Sequence, residues 1–143
     1  MIINIEEHND FYPGYPLLKR SGYYCVRMLS AERRTVFTGS EYGKIEKVVS
    51  IWICANSPKS LENMILRYIM QEEALVGTGS RPRFEYDIMS MVLINLGNPQ
   101  NFKTDNAVKL FSVLLSQEMA AAEKKSILKN NFKIPSFLYF SNI

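Results

Sequence analysis

The chain has 143 residues, enough for one domain with a buried core, and nothing in its length asks for a second. With 47% hydrophobic and 22% charged residues it matches globular averages, which excludes a disordered or low-complexity chain. A net charge of +3 permits a nucleic-acid partner without requiring one.

The opening Ile2–Ile3–Asn4–Ile5 stretch is β-branched and strand-like. Alternation sets Ile3 and Ile5 on one face and Asn4, Glu6 and His8 on the other. The segment FYPGYP that follows is a turn, because each proline restricts its neighbours and glycine breaks the run. From Leu17 to about Arg33 the pattern becomes helical, started by Pro16 and weakened by about 1 kcal/mol at Gly22. FTGSEYGK is a loop. KVVSIWICAN, residues 47 to 56, is nearly continuous in hydrophobicity, as expected of a strand covered on both faces.

Residues 62 to 70 are read as a strand because a Gly/Pro-rich loop follows, and residues 86 to 97 as another, closed by GNP. Thr104 or Asp105 is placed to cap a helix that reaches Ser116, and Glu118 to Lys129 reads as a second helix with lysines toward its C-terminus. The closing PSFLYFSNI is apolar. The expected class is α/β (α+β): strand, helix, three strands, then two helices, with the first strand a central one short of neighbours.

Cys25 and Cys54 form no Cys-x-x-Cys pair and no zinc pattern, so they read as reduced packing groups. No signal-peptide pattern opens the chain and no apolar run nears the roughly 18 residues of a membrane span. These features point to a cytoplasmic protein without a membrane partner. Neither a Walker sequence nor a Gly-x-Gly-x-x-Gly fingerprint occurs, and a single histidine restricts nucleophile triads to His8.

Two patterns carry chemistry. Glu6 and His8 share a strand face, as a metal-holding carboxylate and a group acting on water or phosphate would. Arg20, Tyr24 and Arg27 recur at spacings of four and three and share a helix stripe, suited to clamping phosphate and stacking. A charged strand end running into a turn and a solvated helix face are the plainer alternatives. Tyr42, Trp52, Tyr68 and Tyr86 read as core and edge aromatics rather than as a stacking platform.

The run from IINIEEHNDFYPGYPLLKRSGYYCVRM to KVVSIWIC resembles the PD-(D/E)XK nuclease family of transposases, also called recombination-promoting nucleases. Its members carry a strand ending in Glu-x-Gln or Glu-x-Lys, a Tyr-Pro turn, a basic helix with Lys-Arg and paired tyrosines, and a Ser-Ile-Trp-Ile-Cys strand. YDIMSMVLINLGNP and the closing helices through FKIP extend the resemblance to about residues 2 to 135. It implies a restriction-endonuclease-like mixed sheet with flanking helices. Residues 1 to 56 would be part of that core, lacking its first helix and strands, and residues 57 to 135 would add strands and the two helices.

The resemblance further implies a Mg²⁺- or Mn²⁺-dependent nuclease acting on DNA in recombination. Glu6 would be the metal-binding glutamate, the Glu7 carbonyl a further metal ligand, and His8 would stand where the family has Gln or Lys. Lys19, Arg20 and Tyr24 would lie along the DNA backbone. The family's first catalytic aspartate lies on a strand preceding Glu6, so the chain reads as N-terminally truncated. Asp10 is the preferred substitute carboxylate, since alternation turns Glu7 to the opposite face. Two functions stay open: a metal-dependent endonuclease, or an inactive fragment that binds DNA or a partner. In either, the open edge of the first strand is expected to pair with a second copy.

Overall fold

In a computed structural model of the chain, residues 1–101, 106–116 and 119–132 are described. Four strands, β1 (Ile2–His8), β2 (Val48–Cys54), β3 (Met64–Ile69) and β4 (Met89–Asn95), join three helices, α1 (Leu17–Glu32), α2 (Ala107–Leu115) and α3 (Ala121–Phe132). They form one mixed sheet in the order β1-β2-β4-β3. β1, β2 and β4 run parallel, while β3 is antiparallel to β4. The mixed α/β class and the element order agree with the sequence expectation.

Parallel strands cannot be joined by a hairpin, so β1 reaches β2 through α1. The Pro16 carbonyl accepts from the Lys19 and Arg20 N–H groups at 3.0 and 3.3 Å, which starts the helix. At the other end the Glu32 carbonyl accepts from Thr35, Val36 and Phe37. Arg34 turns the chain with φ 78, unusual for a non-glycine residue. The buried Glu32 carboxylate accepts from the Glu46 N–H at 2.7 Å, tying the end of α1 to the approach to β2.

α1 lies on one face of the sheet, where Leu17, Trp52, Cys54 and Leu93 form a cluster flanked by Phe11, Leu18 and Tyr24. Cys25 and Cys54 are fully buried, and burial pushes the Cys54 thiol up to about 11, which keeps it protonated and unreactive. Gly97, just past β4, is required by space rather than by φ: an added Cβ would stand 2.5 Å from Asn63 Oδ1.

Three expectations are corrected. β1 is an edge strand, not a central one, with β2 its one neighbour among the described residues. α2 is capped by Asn106, whose side chain accepts from the Lys109 N–H at 2.9 Å; Thr104 and Asp105 lie outside the described residues. α3 begins at Ala121, while Glu118, like the apolar tail, lies outside the described residues.

The parallel register is pinned at the strand entrances. Asp87, before β4, accepts from Lys47 Nζ at 2.6 Å, before β2, and from Arg83 Nε at 3.0 Å. The Lys47 hydrogen bond, with Arg83 in support, holds the Asp87 carboxyl below its ordinary value. A depressed carboxylate stabilises the fold above its unfolded-state pKa, and that contribution fades as pH falls through the folded one. Asp87→Asn is therefore expected to cost about 1–3 kcal/mol at neutral pH, with the deficit closing in acid, read from urea unfolding of both proteins at each pH.

Candidate functional site

β1 is amphipathic in an unexpected sense. Ile3 and Ile5 are the outward residues, 49% and 63% exposed, while Asn4, Glu6 and His8 are half-buried on the side of α1. A polar strand face turned inward under a helix contradicts simple partitioning, and such local conflicts gather at functional sites. His8 Nδ1 and Asn4 Nδ2 are both buried without a hydrogen-bond partner. Leaving such a group unpaired costs about 1–3 kcal/mol.

The register explains what these groups meet. Glu6 is paired with Trp52 and His8 with Cys54 across β1 and β2, so their side chains share one face. The His8 and Trp52 rings lie 6.0 Å apart. Trp52 is fully buried, and its Nε1–H donates to Ser50 Oγ at 2.8 Å, which fixes the indole. Tyr24, from α1, stacks on it at 5.6 Å with 16° between the planes.

Arg20 completes the cluster. Its guanidinium carbon stands 5.3 Å from the Trp52 ring centre, 5.5 Å from Tyr24 and 5.6 Å from Tyr15. Nη2 donates to Tyr24 Oη at 3.1 Å, and Nη1 donates to Tyr15 Oη. The Tyr24 hydrogen bond, reinforced by Tyr15 against partial desolvation, raises the Arg20 pKa above its already high ordinary value. Of the five guanidinium N–H groups two are engaged, leaving three to donate elsewhere. None of the ion pairs among the described residues involves Arg20. A cation hydrogen-bonded to two tyrosine hydroxyls beside three aromatic rings, with no carboxylate partner among the described residues, is placed to receive an anion.

The structure thus brings Glu6, His8, Arg20 and Tyr24 onto one side of the sheet. It does not gather the others. Lys19 is exposed beside Arg20, and the Arg27 guanidinium lies over the ring of Tyr23, at 5.9 Å, rather than in the cluster around Trp52. Glu7 points its side chain to the opposite, exposed face. Its backbone is another matter. The Ile2 N–H donates to Lys47 and the His8 carbonyl accepts from Ala55, so alternation turns the backbone groups of Ile3, Ile5 and Glu7 away from β2, toward the open edge. Asp10 is occupied locally, accepting from the Tyr12 N–H at 2.9 Å.

For a divalent metal, these donors are too few. Among the described residues no three His, Cys, Asp or Glu side chains gather around one point. Glu6 supplies one carboxylate and the Glu7 carbonyl one neutral oxygen, whereas Mg²⁺ prefers an octahedral oxygen shell with one or two carboxylates and bound phosphate. The residues present do not by themselves fit a resident Mg²⁺ or Mn²⁺.

Trp52 and Tyr15 join the site without a sequence pattern that points to them. Trp52 reads as core from its strand and is core, yet its indole is also the surface on which Arg20, Tyr24 and His8 assemble. Tyr15 belongs to a segment that reads only as a turn. The one available hint was its spacing of five from Arg20 across the helix start. No helix among the described residues is long and apolar enough to cross a membrane. Comparison with known protein families, with curated proteins and with solved structures finds no match for this chain, so its functional assignment rests on these residues and their geometry.

Proposed function

We propose that this chain is a DNA-binding fold of the PD-(D/E)XK transposase type, in which Arg20 takes a backbone phosphate beside the Glu6/His8 face. The observation that carries this is the guanidinium of Arg20, without an ion-pair partner among the described residues and set beside Tyr15, Tyr24 and Trp52 with three N–H groups to spare. The order strand, helix, parallel strand, with a glutamate on the first and arginine and tyrosine on the helix, supports the same reading. Lys19 and Arg27, both exposed on α1, would add longer-range attraction for the backbone.

As nuclease, the fold would hydrolyse DNA phosphodiesters with Mg²⁺ or Mn²⁺. The donor set favours a non-catalytic role for these residues alone, since among the described residues no three His, Cys, Asp or Glu side chains gather around one point. Glu6 and His8 would then flank the bound phosphate without a completed centre. The chain would act as a homodimer joined through the outward edge of β1.

The test combines two readouts. In EDTA, DNA binding by fluorescence anisotropy is expected to persist and to weaken about tenfold or more in Arg20→Ala, the loss of a charge-assisted hydrogen bond. Supercoiled plasmid with Mg²⁺ or Mn²⁺ is expected to show no nicking above that of Glu6→Ala. Nicking that vanishes in Glu6→Ala would establish the endonuclease instead, with a further carboxylate supplied from outside this group. Binding unaffected by Arg20→Ala would sink the phosphate assignment.

A further inference from the structure

Beside the Arg20 cage lies a second feature. A hollow of about 470 Å³ opens between the FYPGYP turn, the start of α1 and the β3–β4 pair. Its volume falls within the roughly 300–1,000 Å³ of small-molecule sites. Leu17, Leu66 and Leu93 belong to its apolar part, and Phe11, Tyr12, Tyr15 and Tyr68 bring four aromatic rings to its walls. Tyr12 is 72% exposed, so an aromatic side chain at the wall stays in contact with solvent.

Tyr15 joins this hollow to the cation. It lines the hollow, its hydroxyl accepts from Arg20, and its ring stands 5.6 Å from the guanidinium carbon. The one arrangement therefore offers a positive charge with no ion-pair partner among the described residues and, across a single side chain, an apolar slot lined by aromatic rings. The ligand matched to it is an anion tethered to a flat ring whose faces are apolar and whose edges hydrogen-bond. In duplex DNA the base faces are covered by their neighbours, while in an unpaired strand they are open to stacking.

We propose that the hollow beneath the FYPGYP turn receives an unpaired nucleobase whose adjoining phosphate is held by Arg20. This rests on the DNA-binding reading above and narrows it to single-stranded or locally unpaired DNA. Leu66 and Leu93, which line the hollow, give the base apolar contact, and Tyr12, Tyr15 and Tyr68 supply rings for stacking and hydroxyls for the base edge. Arg20 fixes the strand by its phosphate, so charge sets the position and the slot selects against paired bases.

The experiment compares a short labelled oligothymidylate with an abasic strand of equal length and charge, by fluorescence anisotropy in EDTA. The base-bearing strand is expected to bind about tenfold more tightly, in line with the stacking of one base. Leu66→Trp, which fills the hollow, should abolish that difference while leaving the abasic strand's affinity unchanged. Tyr12→Ala, on the exposed rim, should reduce the difference without a change in the core, which covers the case of a misfolded Leu66→Trp. Equal binding of the two strands overturns the slot and leaves phosphate binding by Arg20 standing. A preference that survives both variants places the base elsewhere and also overturns the slot. Binding of neither strand overturns the slot together with the DNA-binding reading.

Discussion

Trp52→Ala should destabilise the protein by about 3–5 kcal/mol, the usual cost of emptying a buried aromatic site. The indole is fully buried, belongs to the cluster with Leu17, Cys54 and Leu93, and stacks on Tyr24. Its removal would open a cavity under α1 and orphan Ser50 Oγ, which now accepts the indole N–H. A domain of this size has roughly 5–15 kcal/mol in total, so the loss would be a large fraction of it. Trp52→Phe should cost less, because a ring remains to meet Tyr24 and Arg20. Urea unfolding of the three proteins decides the matter. A loss below about 1 kcal/mol in the alanine variant would mean that neighbouring side chains collapse into the space and that Trp52 is not the centre of the packing. The phenylalanine variant separates packing from site assembly: if it is stable yet loses anion affinity, the larger indole surface under the guanidinium is what positions Arg20.

The elements themselves were legible because their signals are local. Val48–Cys54 announces a strand by its unbroken apolar run, and α1 announces its start by Pro16. The alternation of β1 was equally plain, with Ile3 and Ile5 opposite Asn4, Glu6 and His8. What periodicity could not say is which of the two faces is inside. Apolar partitioning favours the isoleucines, and the fold buries the polar side instead, because α1 packs on the face that carries Trp52. That choice depends on the parallel register of β1 on β2, which sets Glu6 against Trp52 across more than forty residues of chain. No local pattern encodes such a pairing. The same holds for the edge position of β1: a β-branched run reads as central whether or not a strand lies on its far side. Arg20 and Tyr24 meet because four residues bring side chains together on a helix. Tyr15 and Trp52 join them from a turn and a neighbouring strand, which no local spacing announces, and Arg27 shares the stripe but lies over Tyr23, because a shared stripe does not guarantee a shared contact.

A dimer through the outer edge of β1 is the second large effect expected. Ile3, Ile5 and Glu7 direct their backbone groups away from β2, and the side chains of Ile3 and Ile5 are 49% and 63% exposed. Among the described residues nothing covers this edge, and β1 carries neither proline nor lysine, so β-branched Ile3 and Ile5 are left to pair, with Glu6 and Glu7 its two charged side chains. Antiparallel pairing of two β1 strands about a two-fold axis would satisfy these groups in both copies and set isoleucine against isoleucine. Light scattering should then give about twice the 16.5 kDa of the chain. Ile5→Pro is the informative variant. Its lost N–H faces the open edge, so the hydrogen bonds between β1 and β2 remain, and proline is tolerated on an edge strand. The expected result is a monomer with an unchanged far-ultraviolet circular dichroism spectrum, and an association constant lower by about tenfold or more, the loss of two hydrogen bonds, one donated by each copy, and of the isoleucine contact at the axis. If the wild type runs as a monomer at all concentrations, the edge is capped in some other way. If Ile5→Pro still dimerises, the copies meet through another surface and β1 is not the seam. The outcome also bears on catalysis. Glu6 and the Glu7 carbonyl lie on the strand that would form the seam, so a second copy there would bring its own glutamates to a strand around which the described residues of one chain gather no metal-holding group.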